Sequence, residues 1–145
     1  MLKILPAKPN ESQLIRRFEQ SVWNDPGITS RYDIVSFVTY GYVFLAKENN
    51  KIIGAIIAIK TKRDEIRILD WLVHKNYRHL GIGTKLYNKL RQTVAGHAII
   101  AYVESGNAAS LAGHKKLGFK PVKKVTDPFY LGDKTTWLVM RAKNK

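Results

Sequence analysis

The sequence predicts an α/β (α+β) fold: a mixed, mostly antiparallel central sheet of six or seven strands with helices on both faces. Three observations carry this expectation. The chain has 145 residues, 45% of them hydrophobic, which is the size of one domain (residues 1–145) with enough apolar surface for a core. Apolar residues recur at helical spacing up to about residue 39 and then fall into extended runs through residue 73. After a glycine-marked turn, helix and strand patterns alternate to the end of the chain.

Taken in order, Asn10 follows Pro9 and stands three residues before Gln13, so it reads as an N-cap with a capping box. The helix it starts carries Leu14, Ile15, Phe18 and Val22 on one side and stops near Asn24, Asp25, Pro26 and Gly27. A second short helix is expected over residues 32–39. Residues 42–47 and 51–60 are extended and apolar around the polar turn Glu48, Asn49, Asn50, a hairpin signal with Gly54 as a candidate bulge. Residues 65–73 form the next strand, and a helix follows in which Leu86, Leu90 and Val94 recur every four residues. Residues 98–103 read as a buried strand. Asn107 caps a helix running to about Leu117, and Gly118 ends it in the left-handed position that glycine tolerates best. Residues 119–125 and 135–141 make a final strand pair around the loop bounded by Asp127-Pro128 and Gly132-Asp133. Residues 1–6 are assigned no element, and residues 142–145 are expected to be loose.

Composition narrows the function. No run of about 18 apolar residues offers a membrane span, and the N-terminal stretch lacks the apolar core of a signal peptide. Without cysteine there are no disulfides, thiolate metal sites or cysteine nucleophiles, and a cytoplasmic enzyme is the expected setting. His74, His79 and His97 do not stand at metal-ligand spacing, so no metal is expected. Lys and Arg number 25 against 11 Asp and Glu, a net charge of +14. That excess favours anionic partners such as nucleic acid, a phosphorylated cofactor or an acidic protein surface; a plain solvated basic surface is the bland alternative.

The segment Arg78, His79, Leu80, Gly81, Ile82, Gly83, Thr84 joins a strand to a helix. Glycines there allow a sharp turn and close approach of backbone N–H groups to a ligand, and the helix start adds unpaired N–H groups and the positive dipole end. Arg78, Lys85 and Lys89 bring mobile positive charge. A phosphate-binding Walker loop is excluded because its spacing is absent. A dinucleotide fingerprint would need a small residue where Leu86 stands, although Glu104 lies at the distance expected of a ribose contact. A plain strand–helix turn is the third reading of the two glycines.

The wider pattern resembles a known family. Residues 73–83, with Tyr77 before Arg78 and the spacing Arg78-x-x-Gly81-x-Gly83, are similar to the [RQ]-x-x-G-x-[GA] signature of the GCN5-related N-acetyltransferase (GNAT) superfamily. A second block from Asn107 through Ser110 and His114 to Leu117-Gly118-Phe119 resembles that family's N-x-x-[SA]-x-x-x-Y-x-x-x-G-F element. The resemblance implies a GNAT-like fold and transfer of the acetyl group of acetyl-CoA to a primary amine by direct attack, without a covalent enzyme intermediate. It implies that the amides of residues 78–84 grip the pyrophosphate of coenzyme A. It further implies that Asn107, Ser110 and His114 contribute to the cofactor site, and that the backbone of Trp71, Leu72 and Val73 serves the pantetheine arm and the acetyl carbonyl.

His114 stands where the family most often has a tyrosine, and by resemblance it is the candidate acid for the departing thiolate. Asp70 and Glu104 are the candidate bases for the amine. Some relatives that acetylate protein N-termini carry a catalytic glutamate five residues before the motif asparagine; Tyr102 occupies that place. Trp23, Tyr32, Phe37, Tyr40 and Tyr42, and later Tyr130 and Trp137, fit either an acceptor pocket or core packing. The expected acceptor is a small-molecule amine or a protein N-terminus or lysine, including an acidic or ribosome-associated one, with no membrane partner and a monomeric or homodimeric enzyme. The alternative is a non-enzymatic basic nucleic-acid-binding module, in which the Gly-x-Gly loop has no purpose.

Overall fold

A computed structural model of the chain describes residues 1–24 and 30–145. Asp25, Pro26 and Gly27, expected at the end of the first helix, lie outside the described residues. The elements are strand β1 (Leu2–Pro6), a 3-10 turn (Pro9–Glu11), helices α1 (Ser12–Trp23) and α2 (Arg31–Tyr40), and strands β2 (Tyr42–Glu48), β3 (Lys51–Lys60) and β4 (Ile66–Val73). A second 3-10 turn (Lys75–Tyr77), α3 (Ile82–Thr93), β5 (Ile99–Glu104), α4 (Ala108–Lys116), β6 (Lys120–Thr126) and β7 (Thr136–Ala142) complete them. Seven strands form one sheet in the order β1-β2-β3-β4-β5-β7-β6. The β1–β2, β2–β3, β5–β7 and β6–β7 pairs are antiparallel and β4–β5 is parallel. The expected mixed, mostly antiparallel sheet is therefore present, with seven strands. By contact density the chain divides into two compact units, Met1–Lys60 with Leu69–Thr93, and Thr61–Ile68 with Val94–Lys145.

In the first unit strand alternation puts a helix layer on each face. Val43, Leu45, Ala55 and Ile57 pack against Ile15 and Phe18 of α1 and Ile34 of α2. Ala46 and Gly54 pair with each other on the opposite face. There a Cβ on Gly54 would come within 3.1 Å of Leu86 and 3.3 Å of Ile82, both on α3. The bulge expected at Gly54 falls beside it: pairing passes from Ala46↔Gly54 to Lys47↔Ile52, leaving Ile53 as the extra residue. Gly54 itself serves the close approach of α3. Leu69 and Leu72, three residues apart, both pack on the α1–α2 side, so β4 breaks strict alternation between them.

Two readings of the N-terminal segment are corrected. Residues 2–6 form β1, in register from Leu2↔Glu48 to Pro6↔Phe44. Three apolar residues before a proline are too weak a local signal; pairing with β2 makes the strand, and Pro6 is tolerated because β1 is a sheet edge. Asn10 does not cap α1. It lies inside the 3-10 turn, which closes when the Lys8 N–H donates to Glu11 Oε1 (2.9 Å) and the Glu11 N–H to the Lys8 carbonyl (2.9 Å). Glu11 also pairs with Lys47 of β2, a partner no local pattern names.

In the second unit Ile99, Ala101, Val103, Phe119, Met140 and Ala142 are buried. Asn107 caps α4 as expected, its Oδ1 accepting from the Ser110 N–H at 3.1 Å. Gly118 ends the helix at φ +94°, with the Phe119 N–H donating to the His114 carbonyl. The tail is less loose than expected: Asn144 Nδ2 donates to the Val94 carbonyl at 3.0 Å and the Asn144 carbonyl accepts from Gly96 at 3.1 Å. No described helix is long and apolar enough to cross a membrane.

Candidate functional site

The glycine loop begins where β4 ends. The His74 N–H donates to the Ile53 carbonyl, the Tyr77 N–H to the His74 carbonyl, and the chain turns through residues 78–81 into α3. His79 (φ +65°) and Gly81 (φ +79°) are both left-handed. Left-handed residues in tight turns build concavities lined by backbone N–H groups, which suit anions. Nothing lies within 4 Å of a Cβ built on Gly81, so its glycine answers to the backbone conformation and not to space. The first helical hydrogen bond is Lys85 N–H to the Gly81 carbonyl. The N–H groups of Ile82, Gly83 and Thr84 meet no acceptor among the described residues. They stand at the positive end of a 12-residue helix.

The loop is pinned from two sides. Trp71 Nε1 donates to the Gly83 carbonyl at 3.0 Å, and its ring stacks on Tyr87 with centroids 5.3 Å apart. Burial pushes the Tyr87 hydroxyl pKa up, against the opposing pull of Arg91, so the stack is uncharged at neutral pH. Arg78 Nε donates to the Val73 carbonyl at 3.1 Å, tying the first loop residue to the end of β4. Trp71, Val73, Arg78 and Gly83 are thus brought together. Leu72 points the other way, into the α1–α2 core. His79, Leu80, Gly81 and Thr84 are exposed, Leu80 at 64%.

Asn107, Ser110 and His114 come together along α4. The His114 Nδ1 lies 2.7 Å from the Ser110 carbonyl, which only accepts, so Nδ1 carries the hydrogen and Nε2 the lone pair of the neutral ring. The ring meets Phe119 edge-on at 5.2 Å. Burial lowers the pKa of His114 from 6.5, more than the Ser110 carbonyl raises it. The neutral ring is therefore favoured at pH 7. Asp70 is half-buried and Glu104 exposed, and among the described residues neither side chain makes a hydrogen bond or ion pair.

Trp23, Tyr32 and Tyr40 are 50%, 73% and 88% exposed, which removes them from the core, whereas Phe37 packs on it. One group escaped the sequence reading. Arg67 lies over the ring of Tyr102, which in turn meets Phe129 beside Trp137. Tyr102 and Trp137 were visible in the sequence as single aromatics, but no local pattern brings a β4 arginine to them.

A family model described as the acetyltransferase (GNAT) family matches residues 10–119. No curated protein matches the sequence. Among solved structures, the ribosomal-protein-S18-alanine N-acetyltransferase of Escherichia coli superposes with a TM-score of 0.83 at 19% identity, covering 100% of this chain and 95% of that one. Ard1 of Thermoplasma volcanium also reaches 0.83 at 19% identity, over 99% and 98% of the two chains. NAA60 of Arabidopsis thaliana in complex with acetyl-CoA reaches 0.82 at 16% identity, over 99% of each. At these identities the likeness is one of fold.

Proposed function

The chain belongs to the acetyltransferase (GNAT) family, and from that premise we propose that it transfers the acetyl group of acetyl-CoA directly to a primary amine. Residues 1–145, both compact units included, are taken as one catalytic domain. The observation that carries the proposal is the start of α3, where the N–H groups of Ile82, Gly83 and Thr84 lack acceptors behind left-handed Gly81. Such a backbone suits a pyrophosphate, and Trp71 holds it in place through the Gly83 carbonyl. Arg78, Lys85 and Lys89 add charge around it. Bound there, acetyl-CoA supplies an activated thioester.

The reaction forms a C–N bond, breaks a C–S bond and moves one proton from nitrogen to sulfur. We assign that proton to His114: its neutral Nε2 accepts it from the amine and returns it to the thiolate. The role expected by resemblance, an acid for the departing thiolate, is the second half of this transfer. Asp70 and Glu104 are the alternative proton acceptors, each acting through water, and Asp70→Asn and Glu104→Gln separate them from His114 by kcat. The acceptor class that fits the charge of +14 is an amine borne on an acidic molecule, whether peptide or small compound.

The test is thermal unfolding with and without acetyl-CoA for the parent and for Gly83→Glu. A Cβ at Gly83 meets only ordinary contacts, 3.5 Å to Trp71, and a glutamate there places a carboxylate at the helix start; the variant's own melting temperature without ligand reports its folding. Ligand at about 100 times its dissociation constant stabilises the parent by about 2.7 kcal/mol, and the variant should lose that shift. A parent unmoved by saturating acetyl-CoA, yet retarded on a gel with RNA at physiological salt, would sink the proposal in favour of a basic nucleic-acid-binding module.

A further inference from the structure

Arg67 pairs with Ile100 across β4 and β5, and the guanidinium carbon lies 4.2 Å from the centroid of the Tyr102 ring and 5.9 Å from that of Phe129. Phe129 sits 6.0 Å from Tyr102 and stands edge-on to Trp137 at 5.1 Å, so three aromatic rings flank one cation. Arg67 Nε is buried without a hydrogen-bond partner, and no carboxylate among the described residues pairs with the group. The other arginine of this sheet region is already neutralised, Arg141 Nε donating to Glu65 at 3.1 Å. Phe129, at 41% exposed, leaves the cluster open to solvent.

An arginine that only filled space would cover its rings and send its head to water or to a nearby acid. Here the guanidinium lies against the Tyr102 and Phe129 rings, its buried Nε lacks an acceptor, and the terminal nitrogens find none among the described residues. A planar fork of donors carrying one charge matches one planar carboxylate, bound bidentately. The same fork can also grip a phosphate, which the test below separates from a carboxylate.

We propose that Arg67, held by Tyr102 and Phe129, binds a carboxylate of the acceptor, so that the substrate is an amine on a carboxylate-bearing peptide. The role of the ligand as acceptor rests on the transferase reading above; the carboxylate site does not. The test is isothermal titration of the full chain with a hexapeptide that has a free N-terminus and glutamates at its second and third positions. Its glutamine counterpart and a short oligouridylate are titrated alongside, against the parent, Arg67→Met and Arg67→Lys. Thermal shifts with acetyl-CoA on all three proteins report folding and cofactor binding separately.

The expected result is at least tenfold tighter binding of the glutamate peptide by the parent. Arg67→Met should lose that preference and Arg67→Lys, which keeps the charge but not the fork, should retain only part of it. Absence of preference in the parent, including no binding of either peptide, overturns the proposal, as does a preference that survives in Arg67→Met. Arg67-dependent binding of the oligouridylate in place of the acidic peptide overturns it too and assigns the cluster to phosphate. If the preference holds but acetyl-CoA shifts none of the proteins, the carboxylate site stands and the transferase reading falls.

Discussion

Two contacts decide the protonation of His114. The Ser110 carbonyl takes its Nδ1–H, and burial beside Phe119 disfavours the imidazolium. Because the folded pKa lies below the unfolded 6.5, the unfolded chain binds more protons as the medium is acidified. Stability is therefore unaffected by this group well above 6.5, declines as pH falls through it, and stops declining below the depressed folded value. His114→Asn should flatten that slope, measured as urea midpoints at pH 8 and at successively lower pH. Catalysis should follow the same group with the opposite reading of an acid. As the neutral form is the active one, kcat should rise with pH along a limb centred below 6.5 and then level off. In His114→Asn the limb should vanish and kcat fall by about 100-fold. A rate that instead falls as pH rises through that range would restore the acid role.

At the scale of elements, β4 and the start of α3 act as one piece. Trp71, facing opposite to Leu72, meets α3, where its indole N–H reaches the Gly83 carbonyl and its face meets Tyr87. Trp71→Phe keeps the stack and deletes the hydrogen bond. The predicted loss is about 1 kcal/mol of stability and a several-fold weaker hold on acetyl-CoA, read by urea denaturation and by titration. Unchanged affinity in a destabilised variant would show that the bond serves the fold alone. Much of this piece was legible in sequence: the strand, the glycine loop and the amphipathic helix each have local signatures. The indole contact was not, since Trp71 stood out only for its backbone.

At the scale of the whole molecule, a charge of +14 on 145 residues works against compaction and in favour of anionic partners. Both effects are screened by salt. The melting temperature should therefore rise as sodium chloride is raised from about 0.05 to 0.5 M, while the affinity for acetyl-CoA falls over the same range. A melting temperature that drops with salt would mean that specific pairs such as Glu11–Lys47 and Glu65–Arg141 outweigh the net repulsion.

By itself the sequence determined what short-range physics determines. Helical and strand periods, the Asn107 cap three residues from its acceptor N–H, the left-handed Gly118 and the Gly81–Gly83 turn all depend on residues within about one helical turn of each other. Tertiary structure alone decided the rest. β1 exists because β2 pairs with it more than thirty residues away, and Glu11 in the turn before α1 gains Lys47 of that strand as a partner. The meeting of Arg67 with Tyr102 and Phe129 likewise joins residues distant in the chain. Local hydrogen bonds and backbone preferences are written into neighbouring residues, whereas desolvation and cross-strand contact exist only after the chain has closed on itself.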